Sequence, residues 1–251
     1  MSPDFEKVSQ GLTRLKLPHL RVHLDDHLRL AQAKTLTYLE FLTGLIQEEL
    51  NGREQANYQR RLKCAKLPIQ KTLEGFDFDF QPSLAKGPLK QLKDCRWVAN
   101  AENLIFAGQS GTGKTHLAIA LTMAAIENGY KAYFTTVADL LDQVKVGRLT
   151  GRLGQLEAKL LKQDVIVLDE LGYLKINQDQ GNFLFRLISK AYERMALVIT
   201  TNKDFSGWAA IFEDQVQVTA MLDRLLHHCH LFKIKGESYR IKGRQEVDCG
   251  D

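Results

Sequence analysis

From about Phe5 to Lys71, apolar residues recur at helical spacing and no strand signal interrupts them. Behind Pro18, the residues Leu20, Leu24, Leu28 and Ala31 fall at i, i+4, i+8 and i+11, and Leu39, Leu42, Leu45, Ile46 and Leu50 continue the same period. The pattern predicts a small all-helical domain over residues 1–67. The character changes over residues 68–91. "PIQKTLEGFDFDFQPSLAKGP" carries Pro, Gly and spaced phenylalanines, and reads as an extended linker. Phe76, Phe78 and Phe80 alternate with Asp77 and Asp79, so one face of that linker can pack onto the next domain. Over residues 92–251 helical stretches alternate with apolar runs: "NLIFAG", "KAYFTT", "DVIVLDE", "ALVITTN" and "HLFKIKG". Helices separate the first four runs, which predicts an α/β domain whose parallel strands are buried on both faces.

Composition narrows the class. Hydrophobic residues make up 44% of 251, enough for a packed core. No apolar run approaches the ~18 residues a membrane span needs, so no membrane partner is expected. "MSPDFEKVSQ" lacks the basic start and apolar block of a secretory signal. Cys64, Cys95, Cys229 and Cys249 form no C-x-x-C pair, which suits a reducing cytoplasm. A net charge of +4 permits a polyanionic partner without demanding one.

The chemistry begins after the first strand. Gly108-Gln109-Ser110-Gly111-Thr112-Gly113-Lys114-Thr115 fits G-x-x-x-x-G-K-[ST] without a mismatch, between a strand candidate and a helical pattern. Glycines let the backbone approach a ligand, and exposed N–H groups at a helix start cradle phosphate oxygens. A lysine is badly placed at a helix N-terminus unless an anion sits there too. Lys114 would reach the β- and γ-phosphates, and Thr115 would offer its hydroxyl to Mg²⁺. His116, the next residue, joins the nucleotide-binding set.

A second group for the magnesium comes from Asp169, at the end of the apolar run Val165 to Leu168, where open α/β sheets bind ligands. Asp169 would hold Mg²⁺ directly or through water. Glu170, one residue on, can accept a proton from an attacking water. Asn202 ends the next strand; taken alone it is an ordinary turn-favouring residue. Arg224 lies in "TAMLDRLLHHCH" among apolar neighbours that point inward, so spacing alone makes it a surface arginine pointing outward. His227, His228, Cys229 and His230 suggest a metal cluster, but consecutive residues rarely converge on one ion, and a helix running into a strand explains them better.

Together these segments resemble a known family. "GQSGTGKTHLAIAL", "DVIVLDELGYL", "FRLISKAYER", "VITTNKDFSGW", "AMLDRLLHHCH" and "IKGESYRIKG", in this order, are similar to the IstB/DnaC-type AAA+ ATPases, and among them to the IstB-like transposition helper proteins of bacterial insertion sequences. The N-terminal "LKLPHLRVHLDD" and "RRLKCAKLPIQKTLEGFDFDFQPSL" share the resemblance, which covers nearly all of the chain. It implies an AAA+ sheet in the order 5-1-4-3-2, ATP and Mg²⁺ as cofactors, homo-oligomers with ATP sites at subunit interfaces, double-stranded DNA as a ligand, and a transposase from the same element as partner. Residue by residue, it makes Lys114 and Thr115 the Walker A site, Asp169 and Glu170 the Walker B pair, Asn202 the sensor-1 position and Arg224 the arginine finger. Arg240 stands where the family keeps another arginine, of open role. Few residues follow the last strand, so a C-terminal helical lid is expected to be absent.

DNA contacts are sought in local basic clusters. Arg53, Arg60, Arg61, Lys63 and Lys66 follow one another near the end of the helical region, with Arg53, Arg60 and Lys63 at i, i+7 and i+10. Lys145, Arg148 and Arg152 form a second group, interleaved with glycines. Neither carries a base-reading signature, so phosphate contacts with weak sequence preference are expected. Three functions fit the ATPase core: a regulator of transposition that recruits a transposase to duplex DNA, a DnaC-type helicase loader, and a small-molecule kinase. The kinase lacks a substrate pocket or lid insert in the sequence.

Overall fold

The computed structural model describes residues 3–240. Cys249 and the stretch on which the expectation of an absent lid rests lie outside the described residues. The chain separates into two compact units, Met1–Arg60 and Arg61–Asp251.

Three helices build the first unit: α1 (Pro3–Arg14), α2 (Pro18–Lys34) and α3 (Tyr38–Ala65), whose last turn belongs to the second unit. Pro18 opens α2, where its missing N–H costs nothing. Leu20, Leu24 and Leu45 form a small core, flanked by Phe5, Leu12, Leu17, Leu28 and Phe41. The helical period is there, but α3 turns a different face inward than its leucines suggest. Leu39, Leu42, Ile46 and Leu50 are exposed. Of the expected stripe Leu45 alone is buried, and Glu49 joins it on the inner face. Leu17 gives α2 no side-chain cap. Glu49 replaces it, accepting the Leu20 N–H at 2.9 Å. A carboxylate there satisfies an orphan donor and meets the positive helix end. Arg53 closes the arrangement, donating from Nε to Glu49 at 2.7 Å and from a terminal nitrogen to the Lys16 carbonyl at 2.6 Å.

The second unit contains α4 (Lys86–Gln91), α5 (Arg96–Ala99), β1 (Asn103–Gly108), α6 (Lys114–Glu127), β2 (Ala132–Thr136), α7 (Val137–Leu149), α8 (Leu153–Leu160), β3 (Val165–Leu171), α9 (Gln178–Ala191), β4 (Ala196–Thr201), α10 (Phe205–Trp208), α11 (Gln215–His227) and β5 (Cys229–Ile234). The strands lie in the order β2-β3-β4-β1-β5, all parallel, as the resemblance implied. Leu104, Ile105 and Phe106 in β1, and Val165 to Leu168 in β3, are buried, as continuous apolar strands between two helical layers must be. Residues Leu117 to Ile126 of α6 are likewise all buried, so this helix is apolar on every side. Asn103 ties the centre together: its side chain accepts from the Leu197 N–H and donates to the Leu225 carbonyl, at 3.0 Å each.

Residues 68–85 are not extended. Turns fold them back, closed by Thr72 to the Gly75 N–H, Asp77 to the Phe80 N–H and backbone bonds ending at Phe76, Gln81 and Leu84. Leu73, Phe76, Gln81 and Leu84 are buried. Short polar side chains that bond their own backbone favour such turns over extended chain.

Burial, the largest single influence, pushes the Glu49 carboxyl up, but the hydrogen bonds from Leu20 and Arg53 and the nearby positive charge together hold it below the usual carboxylate range. Its contribution is therefore complete above the unfolded value of about 4.3 and is lost as pH falls through the lower folded value. Glu49→Ala should destabilise the N-terminal unit by about 1–3 kcal/mol at neutral pH, the cost of orphaning a buried donor. Chemical denaturation at pH 7 and pH 3 checks this: the gap between variant and wild type should narrow in acid.

Candidate functional site

The turn after β1 and the first turn of α6 shape the site. Gly111 and Gly113 both take positive φ, at 79° and 94°. A Cβ on Gly113 would lie 2.5 Å from the Phe76 ring, and one on Gly111 would strike the Ser238 hydroxyl. Glycine is thus required here by conformation and by crowding alike. Lys114 is buried, its ammonium donating to the Gln109 carbonyl at 2.6 Å across the mouth of the turn. Thr112 donates to the same carbonyl at 2.8 Å. Burial pulls the Lys114 pKa down, and the nearby Arg240 charge adds to this, while Asp169 and Glu170 oppose it.

Asp169 is buried at the end of β3 and linked to two hydroxyls. Thr115 donates to it at 2.9 Å and Thr200, in β4, at 2.5 Å. The Thr200 oxygen in turn accepts the backbone N–H of Glu170 at 2.9 Å. Strand pairing explains how both carboxylates arrive. Leu168 pairs with Ile199 but Leu171 with Thr201, so β3 spends one extra residue here. Glu170 takes a φ of 63°, unusual for any residue but glycine. The bulge keeps Asp169 buried and leaves the Glu170 side chain exposed. Such bulges re-aim side chains beside functional sites.

A cavity of about 410 Å³ opens over this group, lined by Ser110 to His116, Glu170, Thr200, Ile69, Phe76, Tyr239 and Arg240, among others. Its outer wall is the turn-rich segment after α3. Phe76 meets the His116 ring edge-on at 5.3 Å. The His116 Nε2 lies 2.8 Å from the Thr72 carbonyl. A carbonyl only accepts, so Nε2 carries the proton. Burial lowers the His116 pKa, with the Thr72 contact opposing and Lys71 assisting. The neutral ring therefore holds this wall at pH 7.

The predicted residues divide into groups. Gly111, Thr112, Gly113, Lys114, Thr115, His116 and Ser110 line one cavity with Glu170, and Asp169 lies directly beneath. Gly108 and Gln109 begin the turn but line a neighbouring depression with Asn202. The Asn202 Oδ1 is buried with no hydrogen-bond partner, and Gly172 gives it room: a Cβ there would lie 2.8 Å away. Arg224 lines no part of the phosphate cavity. It does not point outward either, but is half-buried, its guanidinium 5.4 Å over the Phe185 ring and its Nη1 donating to the Ala220 carbonyl at 2.8 Å. His227 and His228 stand at the end of α11 and Cys229 and His230 in β5, a helix running into a strand. The exposed Glu193, His227 and His228 approach one another, with His227 bonded to the Tyr192 hydroxyl at 2.8 Å. Burial pushes the Cys95 thiol up to about 11 and the Cys229 thiol up to about 12, so neither is a nucleophile at neutral pH.

Of the basic candidates, several are already engaged. Arg53 is held by Glu49, Arg148 by Asp179 at 2.5 Å, and Arg61 donates to the Ile126 carbonyl at 3.2 Å, near the end of α6. Arg60 reaches only the Asn57 side chain, and no ion pair engages Lys63, Lys145 or Arg152 among the described residues. Lys145 lies on α7 and Arg152 just before α8, where Gly147 lets the two helices come together: a Cβ there would lie 3.3 Å from the Leu153 backbone.

Thr200, Phe76 and Tyr239 escape a reading of the sequence for nucleotide chemistry. Thr200 carries a signal, since a hydroxyl directly before a strand-ending Thr-Asn sits opposite the Asp169 bulge. Phe76 carries only the packing signal of its spaced phenylalanines and Tyr239 carries none, because both reach the cavity through long-range folding.

The IstB-like ATP binding protein family matches residues 10–247 of the chain. The chain belongs to that family. Among relatives of this IstB-like chain, a Pseudomonas aeruginosa protein named for ATP binding in insertion sequence IS21 is 42% identical over 94% of this chain and 89% of its own. A Geobacillus stearothermophilus counterpart from insertion sequence IS5376 is 38% identical over 96% of each. Solved structures share the AAA+ fold at lower identity. AMPPCP-bound DnaA from Aquifex aeolicus superposes with a TM-score of 0.58 at 20% identity over 70% of this chain and 54% of that one. DnaI superposes with 0.57 at 18% identity, over 66% and 91%. No helix of the described residues is long and apolar enough to cross a membrane.

Thr200→Val keeps the shape of the IstB-like site but removes a donor to Asp169 and an acceptor for the Glu170 N–H. For the hydrolysis proposed below, it should lower kcat by about tenfold or more, on the scale of a lost charge-assisted hydrogen bond, with little change in ATP affinity. Thr200→Ser should retain most of the rate. Steady-state phosphate release with calorimetric ATP titration separates the two effects.

Proposed function

We propose that this chain binds and hydrolyses ATP with Mg²⁺, and that ATP-bound subunits assemble on duplex DNA and recruit a transposase from the same insertion sequence. The observation that carries the chemistry is the Thr115–Asp169–Thr200–Glu170 hydrogen-bonded set beneath the phosphate loop. Thr115 and Asp169 offer paired hard oxygen donors, which suits Mg²⁺. The metal would neutralise charge on the phosphate oxygens. The N–H groups of Ser110 to Gly113 and the Lys114 ammonium bind the polyphosphate. Lys114 must give up the Gln109 carbonyl to do so, a cheap exchange for a charged acceptor. Glu170, exposed and held by its backbone, takes the proton from the attacking water.

Arg224 lies outside the cavity of its own chain, which supports action on a neighbouring subunit's γ-phosphate. Each complete site then requires two chains. Relatives named for insertion sequences match over nearly their full length, which favours transposition over helicase loading; the DnaI likeness speaks to fold alone. The DNA ligand is assigned to the cations that remain available: Arg60, Lys63, Lys145 and Arg152. They would contact phosphates with weak sequence preference.

Glu170→Gln should bind ATP like wild type but accumulate as an ATP-bound assembly, whereas Lys114→Ala should lose ATP affinity; light scattering with nucleotide quantification distinguishes the two. Mixing Arg224→Ala with Lys114→Ala should restore part of the ATPase activity, since some interfaces pair an intact loop with an intact arginine. Co-assembly without recovery would count against the shared site.

Duplex affinity should fall steeply with salt, as counterions leave the phosphates. Replacing Arg60 and Lys63 with alanine should weaken binding and flatten the log–log slope by about one for each phosphate the protein no longer neutralises, measured by fluorescence anisotropy. An unaltered slope moves the DNA site to Lys145 and Arg152.

A further inference from the structure

The end of α11 brings two histidines and a carboxylate to one point. His227 closes the helix, and His228 follows it with φ −123° and ψ 85°, outside the helical range. In a regular helix consecutive side chains point about 100° apart. The break at His228 sets the two rings side by side instead, with their centroids 4.1 Å apart. Glu193, in the turn between α9 and β4, meets them there: its Oε1 lies 3.9 Å from the His228 Nε2. One ring nitrogen from each histidine and one Glu193 oxygen all lie within 4.8 Å of one another. The three side chains are exposed, so an ion can reach them from solvent.

The rest of the run His227-His228-Cys229-His230 takes no part. The His230 Nε2 is bonded to Glu102 at 2.7 Å, and Cys229 packs against the core. No lysine or arginine forms an ion pair with Glu193 among the described residues, so its charge faces imidazole. The Tyr192 hydroxyl lies 2.8 Å from the His227 Nδ1 and orients that ring, as outer partners of ligating histidines do. Donors bound to one zinc ion at about 2.0–2.2 Å stand roughly 3–4 Å from one another. Small rotations of exposed side chains are enough to reach that spacing. Two imidazoles and a carboxylate suit zinc, whereas magnesium prefers oxygen ligands alone.

We propose that Glu193, His227 and His228 form a site for a divalent transition-metal ion, with Zn²⁺ the ion of matching chemistry. Three protein ligands leave the fourth tetrahedral position to water. None of the three lines the phosphate cavity, and the site stands independently of the ATP reading. A bound ion ties the turn after α9 to the end of α11. Arg224 lies one turn earlier on α11 and shares a small cavity with Tyr192, Glu193 and His228. The site therefore restrains the stretch of helix that carries that arginine.

The test is calorimetric titration of the full, untagged, chelator-treated chain with zinc chloride. The wild type should bind one Zn²⁺ in the micromolar range or tighter, and a large excess of Mg²⁺ should not displace it. His228→Gln and Glu193→Gln should each weaken binding by about tenfold or more, since losing even an outer partner costs that much. His227→Gln should do the same. All three positions are exposed, so the variants should keep the wild-type thermal midpoint without zinc. Zinc should raise that midpoint in the wild type and slow hydrogen exchange in the last turn of α11, with neither effect in His228→Gln. Equal zinc affinity in the wild type and all three variants overturns the assignment, because the ion then sits elsewhere. The absence of saturable binding below millimolar zinc overturns it as well.

Discussion

A buried carboxylate sets the terms for this site. Asp169 lies at the end of the central sheet in surroundings that would penalise its charge, and it is tolerable there because two hydroxyls, from Thr115 and Thr200, donate to it. One hydroxyl belongs to the helix after β1 and the other to β4, so the carboxylate fixes the spacing of three separate elements. The bulge in β3 arises from the same requirement. It lets Asp169 stay beneath the loop while its neighbour turns outward into a backbone conformation that the Thr200 oxygen supports. Strain at Glu170 is held in place by the surrounding sheet, which is the usual condition for its survival near a reacting centre.

The α/β half was legible because its rules are local. Continuous apolar runs can only be strands covered on both sides, and a glycine-rich turn with a lysine at a helix start has few other uses. Sheet order came from the family resemblance and not from the runs themselves. The helical half was legible as helices but not as surfaces. Leu39, Leu42, Leu45, Ile46 and Leu50 share a period, yet of these α3 buries Leu45 alone, beside Glu49. Nothing in the periodicity announces that α2 lacks a cap of its own and borrows a carboxylate 29 positions away. The same interaction takes Arg53 out of the set of available cations. Charge counts along a sequence cannot show which arginines are already spoken for.

The phenylalanine-bearing segment was misjudged for a related reason. Alternating Phe and Asp looks like one face of an extended chain. The turns at Thr72, Asp77 and Gln81 are closed by groups whose partners lie only three residues away, and the segment folds against the phosphate loop. It forms part of the nucleotide cavity wall, and the His116 contact with the Thr72 carbonyl fastens it to α6. Candidates for chemistry can be named by type and spacing; residues that carry shape had to be found by folding.

The two segments that flank the loop lie far apart in the chain: Phe76 precedes it, and Ser238 comes after it by about half the chain's length. During synthesis the glycine turn emerges with only one of its walls. It acquires the other when the last strand has been laid beside β1 and the residues beyond it have come round to Gly111. A chain cut short within the sheet would carry an intact phosphate motif without the rim that completes its cavity. Completion of this cavity is in this way tied to translation having passed β5.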